Sequence, residues 1–394
     1  MNRRQFLAAA SAASAAAQPP ARRYQVGAYY FPNFHADPRN EAIHGKGWTE
    51  WELVKHATPR FPGHHQPNVP LWGYEDESDP RVFARKIDAA ADHGLNHFLF
   101  DWYWYDGAPF LQRGLENGFQ KTANNSRLRF ALMWANHDWL EIMPAKRGVK
   151  PPLIFQGAQD RAAFEKMTDY IVATYFRHPS HWLIDGKPYF SIYELFRLVE
   201  GLGGIDATRA ALDSFRRKTV AAGFPGLHLN AVVRGVKILP GEQQVKDPAA
   251  LLKTLGFDST TSYVWIHHIG LKHFPVTPYR DVAAEMKPFW RKAPAEYGVP
   301  YHPNVTMGWD SSPRTVQSDV FAPVGYPYTP TLGDNTPEAF REALAAVKEF
   351  LDSSPSQPKI ATINAWNEWT EGSYLEPDRV SRMGYLEAIR AVFG

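Results

Sequence analysis

Strand patterns alternate with helical patterns along almost the whole of this 394-residue chain. Apolar or alternating runs bounded by turn-forming residues predict eight strands. They lie at Tyr24–Phe31, His97–Trp104, Arg129–Ala135, Pro188–Tyr193, Leu227–Val233, Ser259–Val264, Val305–Trp309 and Ile360–Trp366. The clearest helical patterns lie at Asp79–His93, Asp160–Phe176, Ala207–Ala222, Val282–Arg291, Pro337–Leu351 and Ser381–Val392. Eight such alternations are typical of a (β/α)8 TIM barrel, an α/β fold, here with long βα loops.

The chain shows no sign of a second domain. No internal repeat or low-complexity linker divides it, so residues 18–394 are predicted to form one barrel. The long irregular stretch Asn33–Glu77 is rich in Pro, Gly, His and Trp, which is typical of a functional loop. A doubly wound sheet is the competing architecture, but no Gly-x-Gly-x-x-Gly turn follows any predicted strand.

Residues 1–17 have the features of an export signal. Arg3 and Arg4 precede an apolar, alanine-rich run from Ala8 to Ala17, which is the pattern of a twin-arginine signal with a small-residue cleavage site. A periplasmic or secreted protein is therefore expected, and the absence of cysteine agrees with export in the folded state. No segment has the ~20 consecutive apolar residues of a spanning helix, so no membrane span is predicted.

Composition excludes one class of partner and favours another. The 43 basic and 41 acidic residues give a net charge of +2, whereas proteins that neutralise phosphates are strongly basic, so nucleic acid is not expected as a partner. The chain has 13 Trp, 18 Tyr and 24 Phe, and many lie beside Asn, Asp, His and Glu. Rings mixed with hydrogen-bonding groups suit an oligo- or polysaccharide, although core packing is the competing interpretation for any single ring. We expect a monomer that uses no cofactor.

Polar and aromatic side chains collect where the predicted strands end and in the first long loop. In a TIM barrel the C-terminal strand ends form the active-site face. Packing alone does not explain carboxylates at these positions, because burying an unpaired charge is costly. The predicted substrate-binding residues are Tyr29, Tyr30, His35, Trp48, Glu50, Asp101, Trp104, Trp134, Asn136, His137, Tyr193, Glu194, Trp309, Asp310, Trp366 and Asn367.

Two glutamates follow the last predicted strand. Glu368 and Glu371 are three residues apart, so a helical turn there would direct both carboxylates into one cavity. Cleavage of an acetal requires one group that protonates the leaving oxygen and another that acts as nucleophile or base. Two close carboxylates also repel each other, which keeps a proton on the pair near neutral pH. A helix start with acidic residues in its first turn is the competing interpretation, but the flanking Asn364, Trp366 and Trp369 favour catalysis.

The segment around these glutamates resembles the signature of glycoside hydrolase family 99 and of the wider family 99-like (WbsX-type) domain, which is related to endo-α-mannosidases. The matching segments are Trp366–Gly372, Leu375–Asp378, Gly47–Trp51, Phe61–Pro67 and Ile184–Pro188. The resemblance implies a (β/α)8 fold and metal-independent cleavage of an α-linked glycan with retention. By position it makes Glu368 the base that deprotonates the sugar 2-hydroxyl, which attacks the anomeric carbon, and Glu371 the acid/base. A direct carboxylate nucleophile remains an alternative.

One departure and three alternatives accompany this resemblance. The segment Trp134–Trp139 has His137 where the related domain usually has Glu, so the identity of the sugar does not carry over. Some relatives are glycosyltransferases, but export favours hydrolysis because nucleotide sugars are cytoplasmic. A carbohydrate-binding barrel without catalysis is the second alternative. A metal-dependent hydrolase using the histidine pairs at 64–65 or 267–268 is the third, although no His-Glu-x-x-His motif occurs. Glu376 is predicted to order its loop.

Overall fold

The computed structural model describes residues 23–235, 237–238, 243 and 245–394. The predicted export signal lies outside the described residues. Within them, nine parallel strand segments form one barrel-shaped sheet, which confirms the predicted TIM-barrel fold. The segments are β1 Gln25–Tyr30, β2 His97–Tyr105, β3 Arg129–Trp134, β4 Lys187–Ile192, β5 His228–Val232, β6 Ser259–Thr261, β7 Tyr301–His302, β8 Asn304–Thr306 and β9 Ile360–Asn364.

The strands follow one another around the barrel in chain order. Each strand from β1 to β6 pairs in parallel with the next, and β9 returns to β1 with Ile360 opposite Gln25. The seventh position is divided at Pro303, which has no N–H group to donate. β7 precedes this proline and pairs with β6, whereas β8 follows it and pairs with β9. The seventh strand therefore begins earlier than the predicted Val305.

Helices surround the barrel. They are α1 Pro38–His44, α2 Trp51–His56, α3 Pro80–Asp92, α4 Arg161–Ile171, α5 Leu195–Gly201, α6 Ile205–Ala221, α7 Pro248–Leu255, α8 Tyr279–Tyr297, α9 Pro337–Ser353 and α10 Gly384–Phe393. Asp79 caps α3 by accepting the N–H of Arg81, and Thr336 caps α9 by accepting the N–H of Ala339. Among the described residues, no helix is both long and apolar enough to cross a membrane.

Shorter elements fill the connections. Single helical turns lie at Gly114–Gly118, Phe119–Lys121, Asn125–Arg127, Val172–Phe176, Trp265–His267, Ser312–Arg314 and Trp369–Glu371. Short strands lie at Ala108–Phe110, Trp139–Leu140, Leu153–Phe155, Leu183–Ile184, Val276–Pro278, Thr331–Gly333, Asn367–Glu368 and Ser373–Tyr374. Helix α8 extends past both ends of the predicted Val282–Arg291, since Pro288 and Pro294 are accommodated inside it.

Aromatic rings fill the N-terminal end of the barrel. His97 on β2 is buried and stacks on Trp182, with ring centroids 3.8 Å apart. Gly27 on β1 leaves the space for this ring, because a Cβ there would lie 2.0 Å from His97 Nε2. His302 on β7 is also buried, 6.4 Å between ring centroids from Tyr189. The ring nitrogens of His97 and His302 have no hydrogen-bond partner among the described residues.

Candidate active site

A cavity opens at the C-terminal ends of the barrel strands, on the face where TIM-barrel active sites lie. Six residues predicted from the sequence line it: Asp101, His137, Tyr193, Trp309, Glu368 and Glu371. Its other lining residues include Phe31, Tyr103, Met133, Ala135, Tyr263, His267, Arg314 and Tyr326. The two glutamates therefore face the same cavity, as their spacing predicted.

One guanidinium group joins the two glutamates. Arg314 donates from Nη2 to Glu368 Oε2 at 3.0 Å and from Nη1 to Glu371 Oε1 at 2.5 Å. The same side chain donates to Glu50 Oε1 from Nη2 at 2.9 Å and from Nε at 3.1 Å. All four side chains are buried. Three carboxylates that would otherwise repel one another thus surround a single permanent positive charge.

A tyrosine hydroxyl lies between Glu368 and a further carboxylate of the cavity. Tyr263 OH is 2.8 Å from Glu368 Oε1 and 2.9 Å from Asp101 Oδ2. A phenol has one hydrogen to donate, so it cannot satisfy two ionised carboxylates at once. One of the two carboxyl groups therefore holds a proton and donates it to the tyrosine oxygen. Burial raises the pKa of Asp101 and that of Glu368 well above their ordinary values, which favours a proton on this pair.

The two glutamates titrate as a coupled pair. Burial raises the pKa of Glu368 well above its ordinary value, and the nearby Glu371 charge raises it further. Burial also raises the pKa of Glu371, but Arg314 and the hydroxyl of Tyr326, which donates to Oε1 at 2.8 Å, oppose this rise. In this arrangement Glu371 ionises more readily, and Glu368 keeps the shared proton longer.

The turn that carries the glutamates is fixed by its own backbone. Short strands at Asn367–Glu368 and Ser373–Tyr374 pair antiparallel, and the helical turn Trp369–Glu371 lies between them. Gly372 follows at φ +62°, where a Cβ would lie 2.6 Å from the Cβ of Asp310. The N–H of Asp310 donates to the last carbonyl of the helical turn at 2.5 Å. Glycine at this position allows the turn to close against the loop that follows β8.

A buried carboxylate holds the tryptophans on either side of Glu368. Glu376 accepts the indole N–H of Trp366 on Oε1 at 2.9 Å and that of Trp369 on Oε2 at 2.7 Å. Lys86 Nζ lies 2.6 Å from Oε1 and supplies the balancing charge. Glu376 therefore orders the loop around the glutamates, as the sequence predicted.

Comparison with known families identifies the chain. The family model described as "Glycosyltransferase WbsX" matches residues 26–389, which is nearly all of the described structure. The chain belongs to the WbsX family. This confirms the resemblance found in the sequence.

Two curated relatives of this WbsX-family chain come from strains of Xanthomonas campestris pv. campestris. Both are called "Uncharacterized protein WxcX", and each is 31% identical over 371 residues. The match covers 92% of this chain and 48% of each relative. The chain thus spans about half the length of the curated relatives it matches.

Solved structures share the barrel of this WbsX-family chain. The family 99 endo-alpha-mannosidase from Bacteroides thetaiotaomicron has a TM-score of 0.54 at 15% identity, and the match covers 93% of this chain and 96% of that one. Its complex with Bis-Tris propane gives 0.57 at 15% identity, with coverage of 93% and 95%. A glycoside hydrolase-like protein gives 0.56 at 14% identity, with coverage of 95% and 94%. At such low identity these likenesses establish the fold alone.

Three residues predicted to bind substrate lie instead in the packed wall around β1. Tyr29 is fully buried, with its ring 4.7 Å from that of Tyr263. Tyr30 OH donates to Glu77 Oε2 at 2.8 Å, and His35 Nδ1 lies 2.9 Å from Glu77 Oε1. The hydrogen bonds of Tyr30 and His35 to Glu77 hold the first loop against the barrel. None of the three residues lines the cavity.

Two predicted stacking tryptophans point away from the cavity. Trp104 lies 5.8 Å from the ring of Tyr170, and Trp134 lies 5.9 Å from the ring of Phe164, both between centroids. Both partners belong to α4. Successive strand side chains face opposite sides of a sheet, so these rings pack between barrel and helix whereas Asp101 faces the cavity.

The remaining predicted contacts are not among the residues that line the cavity; they are Trp48, Glu50, Asn136, Glu194, Asp310, Trp366 and Asn367. Asn136 bonds both backbone groups of Glu194, at 2.7 and 2.8 Å. Asn367 does the same with Phe31, at 2.8 and 2.7 Å. Trp48 stacks on His44, with ring centroids 4.1 Å apart. These side chains form hydrogen bonds to neighbouring segments of the chain or stack on them.

Three cavity residues that bond to the glutamates were not predicted from the sequence: Tyr263, Arg314 and Tyr326. Tyr263 falls inside the predicted strand Ser259–Val264, but β6 ends at Thr261. A shorter strand would have placed Tyr263 among the strand-end residues. Arg314 and Tyr326 come from the long loop after β8, and the sequence carries no signal that this loop folds back over the glutamates.

The two histidine pairs are used in other ways. Over the described part of the chain, no three His, Asp or Glu side chains are arranged to hold a metal ion. His64 Nε2 lies 2.8 Å from Asp310 Oδ2, and His268 Nε2 lies 2.7 Å from Ser262 Oγ. His267 is buried beside the cavity, with its ring 6.1 Å from that of Tyr193.

Proposed function

We propose that this chain is an exported glycoside hydrolase that cleaves an α-linked glycan, mannan-like or another bacterial polysaccharide. The observation that carries the proposal is the pair Glu368 and Glu371, buried in one cavity and joined by Arg314. Hydrolysis of a glycosidic bond commonly uses two carboxyl groups that flank the bond. The barrel shared with the two structures of a family 99 endo-alpha-mannosidase supports the same function.

The proposed reaction divides the work between the two glutamates. Glu368 removes the proton of the sugar 2-hydroxyl, and the 2-oxygen attacks the anomeric carbon as the glycosidic C–O bond breaks. Glu371 donates its proton to the departing oxygen. Glu371 then takes a proton from water, and the water oxygen attacks the anomeric carbon and breaks its new bond to the 2-oxygen. Glu368 returns its proton to the 2-oxygen, which restores the 2-hydroxyl. Two displacements at the same carbon retain its configuration.

In this reaction, binding of the sugar has to move the shared proton from Glu368 to Glu371. The hydrogen bonds from Arg314 and Tyr326 favour the ionised form of Glu371, whereas an acid must begin protonated. A 2-hydroxyl that donates to Glu368 stabilises that carboxylate as an anion. The negative charge on Glu368 then raises the pKa of Glu371 by repulsion. The opposite assignment, with Glu368 as the acid, follows if this redistribution does not occur.

Glycosyl transfer is the second candidate, because the matching family is described as a glycosyltransferase. The same carboxyl pair can pass a sugar to an acceptor hydroxyl in place of water. Incubation with nucleotide sugars and an oligosaccharide acceptor distinguishes the two reactions. Longer products that depend on the nucleotide sugar would favour transfer over hydrolysis.

The decisive experiment screens purified protein against yeast α-mannan and a panel of bacterial polysaccharides. New reducing ends, identified by mass spectrometry, are the expected result. Glu368→Gln and Glu371→Gln should each lower kcat/KM by roughly 10²- to 10⁴-fold without loss of glycan affinity. Glu342→Gln, which changes an exposed ion pair with Arg280, is the matched control. Full turnover in either glutamate variant of the cavity would refute the assignment of that residue.

Leaving-group chemistry separates the acid from the base. A series of aryl glycosides of the sugar found in the screen is compared in both variants. The acid variant should recover activity as the leaving group becomes a weaker base, and added azide should increase its turnover. The base variant keeps the group that protonates the departing oxygen, so its turnover should depend much less steeply on the leaving group than that of the acid variant.

A further inference from the structure

A second cavity shares Trp309 with the first. Its volume is about 360 Å³, against about 70 Å³ for the cavity of the glutamates. Pockets that bind small ligands have volumes of about 300–1,000 Å³, so the second cavity has the size of a ligand site. Its walls come from the first loop, from Thr331–Gly333 and from the chain after Gly372. The cavity of the glutamates, by contrast, holds only a small part of a polysaccharide.

Polar side chains on the wall of the second cavity retain hydrogen-bonding capacity. His65 and Asp334 are exposed and Asn68 is half-buried on this wall, and among the described residues no hydrogen bond engages their side chains. Asn335 uses Nδ2 to donate to the carbonyl of Met307 at 3.0 Å, and its side-chain oxygen remains an acceptor. The wall therefore offers donors and acceptors of the kind that sugar hydroxyls bind.

One side of this cavity is fixed by a histidine–aspartate pair. The N–H of Arg60 donates to His64 Nδ1 at 3.0 Å, so His64 carries its hydrogen on Nε2 and donates it to Asp310 Oδ2 at 2.8 Å. Gln66 Nε2 donates to the same oxygen at 2.7 Å. Asp310 is thus satisfied within the protein, and its negative charge disfavours an anionic ligand nearby.

Aromatic rings extend from the wall of the cavity to the surface. Phe61 lines the cavity and stacks on His64, with ring centroids 4.3 Å apart and planes at 8°. Its ring lies 6.1 Å from that of Phe321, which lies 5.4 Å from that of Phe274. Exposed large apolar side chains in these loops and at the cavity wall are Phe274, Val320, Val324 and Val380. The connected rings Phe61, Phe321 and Phe274 thus lead from the cavity wall to an exposed apolar side chain, and exposed apolar groups that lie together mark binding surfaces.

We propose that the second cavity and the ring series Phe61, Phe321 and Phe274 bind a neutral saccharide unit of the glycan, beyond the unit that reacts. The apolar face of a sugar fits an aromatic ring, and its hydroxyls fit His65 and Asn68. This inference rests on the proposed function, since it assigns the second cavity to the glycan that the glutamates would cleave; Trp309 lines both cavities.

Affinity electrophoresis through gels that contain a neutral polysaccharide tests the inference. Yeast mannan, dextran, pullulan and galactomannan are the neutral probes, and xanthan is the anionic one. The full chain is used as Glu371→Gln, so that the probe is not degraded. At least one neutral probe should retard it, and the added changes Phe61→Ala and Asn68→Ala should lower its affinity by about tenfold, as the loss of one stacked ring and one hydrogen-bonding group predicts.

Thermal unfolding shows whether each variant is folded, and a matched variant outside both cavities controls for the loss of an aromatic ring. Phe224→Ala removes a half-buried ring that packs on Phe176, outside both cavities, and should leave the retardation unchanged. Unaltered affinity of the folded Phe61→Ala, Asn68→Ala protein overturns the inference. So does retardation by xanthan alone, or by none of the five polymers. Because affinity is read from a catalytically inactive variant, failure of the hydrolase proposal would appear separately, as full turnover of Glu371→Gln.

Discussion

At the scale of single residues, the charge balance of the cavity depends on Arg314. Glu50, Glu368 and Glu371 all accept hydrogen bonds from this one guanidinium, and Asp101 lies next to them across Tyr263. Four carboxyl groups around one cation cannot all ionise in a buried site without strong repulsion. The pKa values of Asp101, Glu368 and Glu371 are all raised, so this arrangement favours a proton on one of these three groups.

Replacing Arg314 should affect stability and activity to different extents. Arg314→Met leaves its carboxylates unpaired and should lower the free energy of unfolding by about 3–5 kcal/mol. Arg314→Lys keeps the charge but not the forked geometry, so we expect a smaller loss of stability and at least a roughly tenfold loss of kcat/KM. Urea unfolding and steady-state kinetics measure the two effects. Arg216→Lys, which alters a pairing with Asp213 away from the cavity, is the control; equal losses there would contradict a specific role.

Removing the Tyr263 hydroxyl should shift the pH dependence of turnover. In Tyr263→Phe, the pair Asp101 and Glu368 loses the hydroxyl that donates to whichever of the two is ionised, so the pKa of that carboxyl group rises. The ascending limb of kcat/KM against pH should then move to higher pH. Tyr170→Phe removes a comparable hydroxyl–carboxylate contact, with Glu116, outside the cavity and should leave the profile in place. A Tyr263→Phe profile that coincides with the wild type would exclude a role in proton sharing.

At the scale of elements, the loop after β9 depends on Glu376. Glu376→Gln removes one of two acceptors for the indoles of Trp366 and Trp369 and leaves the buried Lys86 without the carboxylate that balances its charge. We expect a lower melting temperature and a lower kcat. Adding Lys86→Met removes the unpaired charge and should recover the melting temperature but not kcat. Recovery of both would mean that Glu376 acts only through charge balance, and not by positioning the turn.

The elements also show where sequence reasoning was sufficient and where it was not. Local patterns specify the alternation of strands and helices, so a strand was predicted at each of the eight barrel positions, although the division of the seventh was not. The sequence did not show whether a strand side chain points into the barrel or toward the helices. Parallel barrel strands are buried on both sides, so their sequences lack a polar face that would mark the difference. Trp102 and Trp104 therefore looked equivalent to their neighbours Asp101 and Tyr103. In the structure the first two contact Tyr175 and Tyr170 of the helical layer, and the latter two line the cavity.

At the scale of the whole molecule, the site joins residues that are distant in sequence. Glu368 and Glu371 were predictable because three residues of spacing bring them together locally. Arg314 and Glu50 reach them only through the path of two long loops, which no local pattern specifies. The closure of the barrel at Pro303 was missed for a related reason. A strand divided between two partners is defined by its neighbours, and not by its own sequence.

The end of the barrel opposite the cavity should make the fold sensitive to acid. Burial lowers the pKa of His97 from 6.5 to about 3, and lowers that of His302 well below 6.5. The unfolded chain binds these protons as pH falls below about 6.5, whereas the folded chain does not. The stability contributed by the two neutral rings is therefore complete above that pH, and the free energy of unfolding falls by about 1.4 kcal/mol per ring for each pH unit below it.

His97→Leu should unfold more easily at pH 8, because stacking on Trp182 is altered, yet show a shallower decline in unfolding free energy between pH 6.5 and 4.5. His56→Leu, at an exposed position, should leave the slope unchanged; a slope in His97→Leu as steep as that of the wild type would exclude His97 as a source of acid sensitivity.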